Sequence, residues 1–305
     1  MTSLSAALFP VIAAICLGGL LGRTTDLFKG PALSGLVSTV GIPALLLHSI
    51  LAINMDLSLM ADLIVITLLY VVLMTGATIV MLRFCPGVTR IRSYLPALVN
   101  PNTGNMGVPV CFALFGQESV ALALVISSVI QVSHFTLGVG CLSGDYTVKA
   151  LCRNGPVLAL ICGALLLAAD VSVPVPVLNT LDMLGAITVP VMLMQLGSSV
   201  FNLKAEGARH ILRPLLLSIW RPLAGLFIAW LALIIWPFSP PLSDLQAKVF
   251  LVQGAMPVAV LSYVLAVKYG AGQENSPQQD IAIMILSSLI FSLALVAVAH
   301  TLGVF

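Results

Sequence analysis

Apolar runs of about twenty residues follow one another along almost the whole chain, and the polar stretches between them are short. One crossing of a bilayer takes ~20 mostly apolar residues as helix. A helix also satisfies its own backbone groups where no water is available. Ten such runs are read, at 5–22, 32–53, 62–82, 93–115, 119–141, 154–170, 183–201, 212–236, 246–268 and 280–303. Taken from 305 residues, they leave no room for a soluble domain. Only 8% of the residues are charged, against roughly a quarter in a water-facing protein. The fold class expected is an all-α polytopic membrane protein with ten transmembrane helices. The first run has no basic stretch before it and no small-residue cleavage site after it, so it is expected to be a retained helix.

Charge then orients the helices, because cytoplasmic loops collect Lys and Arg. Ten crossings place Arg23, Lys29, Arg83, Arg90, Arg92, Lys149, Arg153, Lys204, Arg209, Arg213, Arg221 and Lys268 towards one side and only Lys248 towards the other. That second side carries Asp56, Asp62, Glu118, Asp170, Asp182 and Asp244. The basic side is read as cytoplasmic, with both termini on the non-cytoplasmic side. The six cysteines (Cys16, Cys85, Cys111, Cys141, Cys152 and Cys162) show no metal-ligand spacing and are expected to be reduced.

Five helices per half would give the halves opposite orientations, and the halves do resemble each other. Val40-Gly-Ile-Pro43-Ala-Leu-Leu-Leu-His48 in the second run aligns with Ile187-Thr-Val-Pro190-Val-Met-Leu-Met-Gln195 in the seventh. Gly107-Val-Pro109-Val in the fourth aligns with Ala255-Met-Pro257-Val in the ninth, and Val11 to Cys16 aligns with Val157 to Cys162. The expected organisation is two inverted five-helix repeats, 1–153 and 154–305, with scaffold and transport parts interleaved between them. Repeats of this kind place solute sites at helix interruptions near the bilayer midplane.

The fourth run is interrupted. Asn100-Pro-Asn-Thr-Gly-Asn-Met-Gly-Val-Pro109 puts three Asn, one Thr, two Gly and two Pro into an otherwise apolar helix. Pro101 disfavours helix at Asn100, Gly104 and Gly107 permit unwinding, and Pro109 suits the first turn of a restarted helix. Such backbone is tolerated at membrane depth only when packed in protein or lining a wet cavity. The side chains of Asn100, Asn102, Thr103 and Asn105 can satisfy it and also face a solute. Gln253-Gly254-Ala-Met256-Pro257 is a weaker interruption of the ninth run. Each restarted helix would turn its partly positive N-terminus inward, which favours an anion such as a carboxylate.

At Asn100-Pro101-Asn102-Thr103-Gly104-Asn105 the chain resembles the auxin efflux carrier family, in its compact bacterial form. Short loops, a five-plus-five repeat and proline crossovers in helices four and nine extend the likeness along the chain. The resemblance implies a sodium/proton-antiporter-like fold with broken crossover helices 4 and 9. It also implies elevator-like alternating access and organic-anion substrates, auxin-like or malate-like mono- or dicarboxylates. By motif match Asn100 and Asn102 would contact substrate, Gln253 and Pro257 would face them, and Gln131 would match a glutamine of the fifth helix. Plant members continue with Tyr-Ser where this chain has Gly104-Asn105. The candidate substrate-binding set is thus Asn100 to Asn105, Gln131, His134, Gln253, Gly254, Met256 and Pro257. The inner membrane is the expected location, with the lipid bilayer, the anion and a second copy of the chain as expected partners.

His134 lies three residues from Gln131, on the same helix face. Facing a cavity, it could titrate near neutral pH and couple proton movement. His48 is a second coupling candidate, and His300 is read as interfacial. Arg221, one to two turns inside the eighth helix, is expected to snorkel to the cytoplasmic face. The pairs Ser127-Ser128, Ser198-Ser199 and Ser287-Ser288 are read as close-packing positions. No carboxylate lies mid-helix, which disfavours sodium/proton exchange and weakens the alternative of a bile-acid-type cation-coupled symporter. No phosphate-binding loop, HExxH or catalytic triad is present, so no enzyme activity, cofactor, metal or nucleic-acid partner is expected.

Overall fold

Helix is the only extended regular structure among the described residues. The computed structural model describes residues 2–28, 32–51, 57–88, 90–144, 155–169, 171–201, 208–236, 242–270 and 277–304. The helices are α1 (Thr2–Thr24), α2 (Ala32–Leu36), α3 (Ile42–Leu51), α4 (Leu57–Phe84), α5 (Ile91–Val99), α6 (Val108–Phe115), α7 (Glu118–Ser133) and α8 (Val139–Ser143). There follow α9 (Gly155–Ala168), α10 (Val175–Ala186), α11 (Thr188–Phe201), α12 (Ala208–Ile234), α13 (Asp244–Gly254), α14 (Val260–Gly270) and α15 (Gln278–Thr301). Three π-helical turns join neighbours: Val37–Gly41, Thr103–Gly107 and His134–Gly138.

Among the described residues five apolar stretches are long enough to cross a membrane: Ala61–Phe84, Glu118–Ser143, Val175–Ser198, Ile211–Ile234 and Gln278–Thr301. Shorter apolar helices cover Ile12–Thr24, Thr39–His48, Thr103–Phe115 and Val260–Tyr269. Their outer faces expose Val72, Phe84, Leu216 and Phe227, a surface suited to lipid and not to water. The chain is a multi-pass helical membrane protein.

Local chemistry explains where the helices begin and end. At α13, Ser243 Oγ accepts from Gln246 N–H at 3.2 Å and Ser243 N–H donates to Gln246 Oε1 at 2.8 Å, a reciprocal cap. Gly144 closes α8 at φ +73°, a backbone that side chains resist. Pro43 cannot donate to the carbonyl four residues back, and the turn ahead of it widens to π. The seventh run starts earlier than expected, at Val175 and not at 183, because Pro174 and Pro176 suit a helix entry. Asp182 therefore lies within a helix, where its carboxylate is 3.8 Å from His48 Nδ1 on α3.

α1 packs on α11, and α3 packs on α9 and α10. Small residues bring the first pair together: Gly18 lies against the Met194 backbone, Gly22 against Ser198, and Gly197 against the Ile15 carbonyl. Around a second centre α4, α6 and α13 pack on α7, while α12 packs on α4, α13 and α15. That centre is filled by Met74, Ile126, Ile130, Phe250 and Met256. Asp280 on α15 accepts from Tyr94 Oη at 2.5 Å and from Arg213 Nε at 3.0 Å, tying α5, α12 and α15.

Cys16, Cys85, Cys111, Cys141 and Cys162 are thiols, not disulfide-bonded. Asp56, Lys29, Lys149, Cys152, Arg153, Asp170 and Lys204 lie outside the described residues, as does the expected boundary at 153–154.

Candidate functional site

α5 stops at Val99 and helical backbone resumes at Thr103, while α13 stops at Gly254 and α14 begins at Val260. The two breaks cross. Asn102 N–H donates to the Pro257 carbonyl at 2.8 Å, and Pro101 and Val258 form an isolated antiparallel bridge. The proline opposite the second break is thus Pro101, whereas Pro109, its counterpart in the sequence alignment, sits in the first turn of α6. The division follows from chemistry: Pro101 ends a helix by constraining Asn100, and Pro109 starts one where no N–H is required.

The first break satisfies part of its backbone locally. Asn100 is extended (φ −97°, ψ 112°), and both its backbone N–H and its side-chain Nδ2 donate to the Pro96 carbonyl, at 3.2 and 3.1 Å. Gly107 N–H donates to the Asn102 carbonyl at 3.1 Å, so residues 103–107 form a π turn where unwound backbone was expected. Thr103 Oγ1 and Gln131 Nε2 both donate to Ser127 Oγ at 3.2 Å. Ser127 was read as a packing residue; it positions two polar side chains instead.

Side chains from three other helices satisfy the second break. Arg221 Nη1 donates to the Gly254 carbonyl at 3.3 Å and Arg221 Nη2 to Tyr70 Oη at 3.0 Å. Ser292 Oγ donates to the Ala255 carbonyl at 2.6 Å, and Ser288 Oγ accepts from Val258 N–H at 3.0 Å. Arg221 is 0% exposed, so the expected snorkelling does not occur. Its cation sits at the carbonyl end of α13, where the helix dipole favours positive charge. Gly225 makes the approach of α12 to α13 close, since a Cβ there would lie 2.1 Å from the Gly254 carbonyl oxygen.

A cavity of about 60 Å³ opens beside the crossing. Pro101, Asn102, Thr103, Gly104 and Asn105 line it from the first break, and Gln131 and His134 from the continuous α7 segment. Opposite them stand Ile42 and Leu45 of α3 and Thr188, Val189 and Met192 of α11. Among the described lining residues none carries a permanent charge. His134 is 2% exposed, with Nε2 3.0 Å from Ser262 Oγ on α14. Thr188 was not singled out in the sequence; its hydroxyl is buried without a protein partner, and its place before Pro190 at a helix start was the signal available.

Several candidates fall outside this cavity. Asn100 is buried behind it. Gln253 is 1% exposed and, with Gly254, borders a separate void of about 10 Å³ that also touches Tyr70, Thr67 and Thr103. The Gln253 carboxamide rests against Gly107 and neither of its polar atoms has a hydrogen-bond partner. Met256 is fully buried, and Pro257 contributes its carbonyl to Asn102. His48 faces Asp182 and does not line the cavity.

A family model described as membrane transport protein matches residues 141–298, more than half of the chain. The match includes the second break but not the first. A comparison with curated proteins finds no match.

Proposed function

Because the chain belongs to the membrane transport protein family that includes the auxin efflux carriers, we propose that it is a secondary carrier of a small organic anion, a mono- or dicarboxylate. The observation that carries this reading is the cavity at the crossing of the two breaks. Asn102, Asn105, Gln131 and Thr188 offer hydroxyl and amide donors there, suited to carboxylate oxygens. The first helical turn after Asn102 adds backbone N–H groups that have no partner within the helix. Leu45, Phe135 and Met192 supply an apolar wall for the rest of the solute. The volume suits several waters or a small molecule.

In this reading the chain crosses the inner membrane ten times as two inverted five-helix repeats, with both termini on the non-cytoplasmic side. The breaks at Asn100–Asn102 and Ala255–Ala259 are the crossovers of helices four and nine. The cavity lies on a seam, with α3 and α11 on one side and the first crossover and α7 on the other. That placement supports an elevator-type cycle in which the crossover body carries the anion past a fixed scaffold.

Thermal stabilisation of the purified protein by a panel of mono- and dicarboxylates tests the reading, since a ligand that binds only the folded state raises its stability. Carboxylates should raise the melting temperature, and Asn102→Ala should weaken their affinity about tenfold, or ~1.4 kcal/mol. Stabilisation by cations or neutral solutes, with no carboxylate effective, would refute it.

A further inference from the structure

We propose that His134 takes up a proton as the carboxylate binds, so that anion and proton are carried together. This rests on the carboxylate reading of the cavity. His134 is the titratable side chain among the described residues lining the cavity. Its Nε2 is engaged with Ser262 Oγ, and among the described residues Nδ1 has no protein partner. The Ser262 hydroxyl can donate to a neutral ring or accept from a protonated one, so gaining a proton breaks no contact.

The surroundings set the sign of the coupling. On α5 Tyr94 is committed to Asp280, and α8 and α14 carry Cys141 and Tyr263, both buried. Lys268 lies over the Tyr269 ring towards the far end of α14, and Cys162 on α9 is exposed. The buried cation on α12, Arg221, is held by the Gly254 carbonyl and the Tyr70 hydroxyl. An arriving carboxylate brings a negative charge next to the His134 ring and favours the imidazolium.

The balance is simple. One proton leaves solvent on the side where the anion enters, resides on the imidazole while the anion is bound, and returns to solvent on the side where the anion leaves. Binding and protonation must then strengthen each other equally. Between the proton affinities of the empty and loaded sites, anion affinity falls about tenfold per pH unit as pH rises.

Calorimetric titration of the whole protein with malonate and with acetate, near neutral pH where free carboxylates are ionised, tests this in two buffers of different ionisation heat. The buffer dependence should report uptake approaching one proton per carboxylate bound. His134→Gln, which keeps a hydrogen-bonding side chain towards Ser262, should bind more weakly, with both the uptake and the pH dependence of affinity abolished. Wild-type binding with no buffer dependence would overturn the proposal while leaving the carboxylate reading intact. So would uptake that persists in His134→Gln. If neither probe gives heat or thermal stabilisation, the carboxylate reading fails and this proposal with it.

Discussion

The two breaks in this protein solve one physical problem in opposite ways. Interrupting a helix inside a membrane frees backbone groups that lipid cannot satisfy. The break after α5 answers in part with its own residues, through Asn100 to Pro96 and Gly107 to Asn102, and Asn102, Thr103 and Asn105 line the cavity. The break after α13 is served from outside by Arg221, Tyr70, Ser288 and Ser292, and its residues Ala255 to Val258 are buried. A break that meets part of its need locally leaves side chains open to solvent or solute; one covered by side chains of neighbouring helices does not. The difference teaches that crossing helices need not share a job equally. In the proposed reading the first supplies recognition and the second its buried counterpart.

The largest effect should come from removing the support of the second break. Arg221→Ala strips two donors from buried acceptors and leaves a void, costing about 3 kcal/mol of stability. Thermal unfolding in detergent would show it as a marked fall in melting temperature. A change below about 0.5 kcal/mol would mean that the second break does not depend on Arg221. The next effects separate the two glutamines. Gln131→Ala, on the cavity wall, should lower carboxylate affinity about tenfold with little change in stability. Gln253→Leu should change affinity less than about twofold and leave stability equal or raised, because it replaces a buried amide that has no partners. Equal losses from the two would erase the distinction between the breaks.

How much of this was readable from residues alone also divides along the two breaks. Asn100 to Pro109 concentrates so many helix-breaking and polar residues that both the stop and the solute-facing chemistry are legible. The second break shows only Gly254 and Pro257, an ordinary kink pattern. Arg221 gave no sign of its role because its acceptor is a carbonyl on another helix, freed only once that helix breaks. Ser127 and Ser288 read as packing serines and Ser292 was not singled out, since a hydroxyl that meets a partner on a distant helix has no sequence signature. The π turn at Thr103–Gly107 was likewise hidden, because glycines that permit unwinding also permit a widened helix. The early start of α10 at Val175 was masked by Asp182, a polar residue that reads as loop but tolerates a membrane-edge helix.

The central claim is that the solute lies on the side of the first break. Crystals grown with a bromine-substituted propionate would test it by anomalous scattering. The account predicts a bromine peak in the cavity between Asn105, Gln131 and Thr188. A peak beside Gln253 and Tyr70, behind the second break, would contradict it.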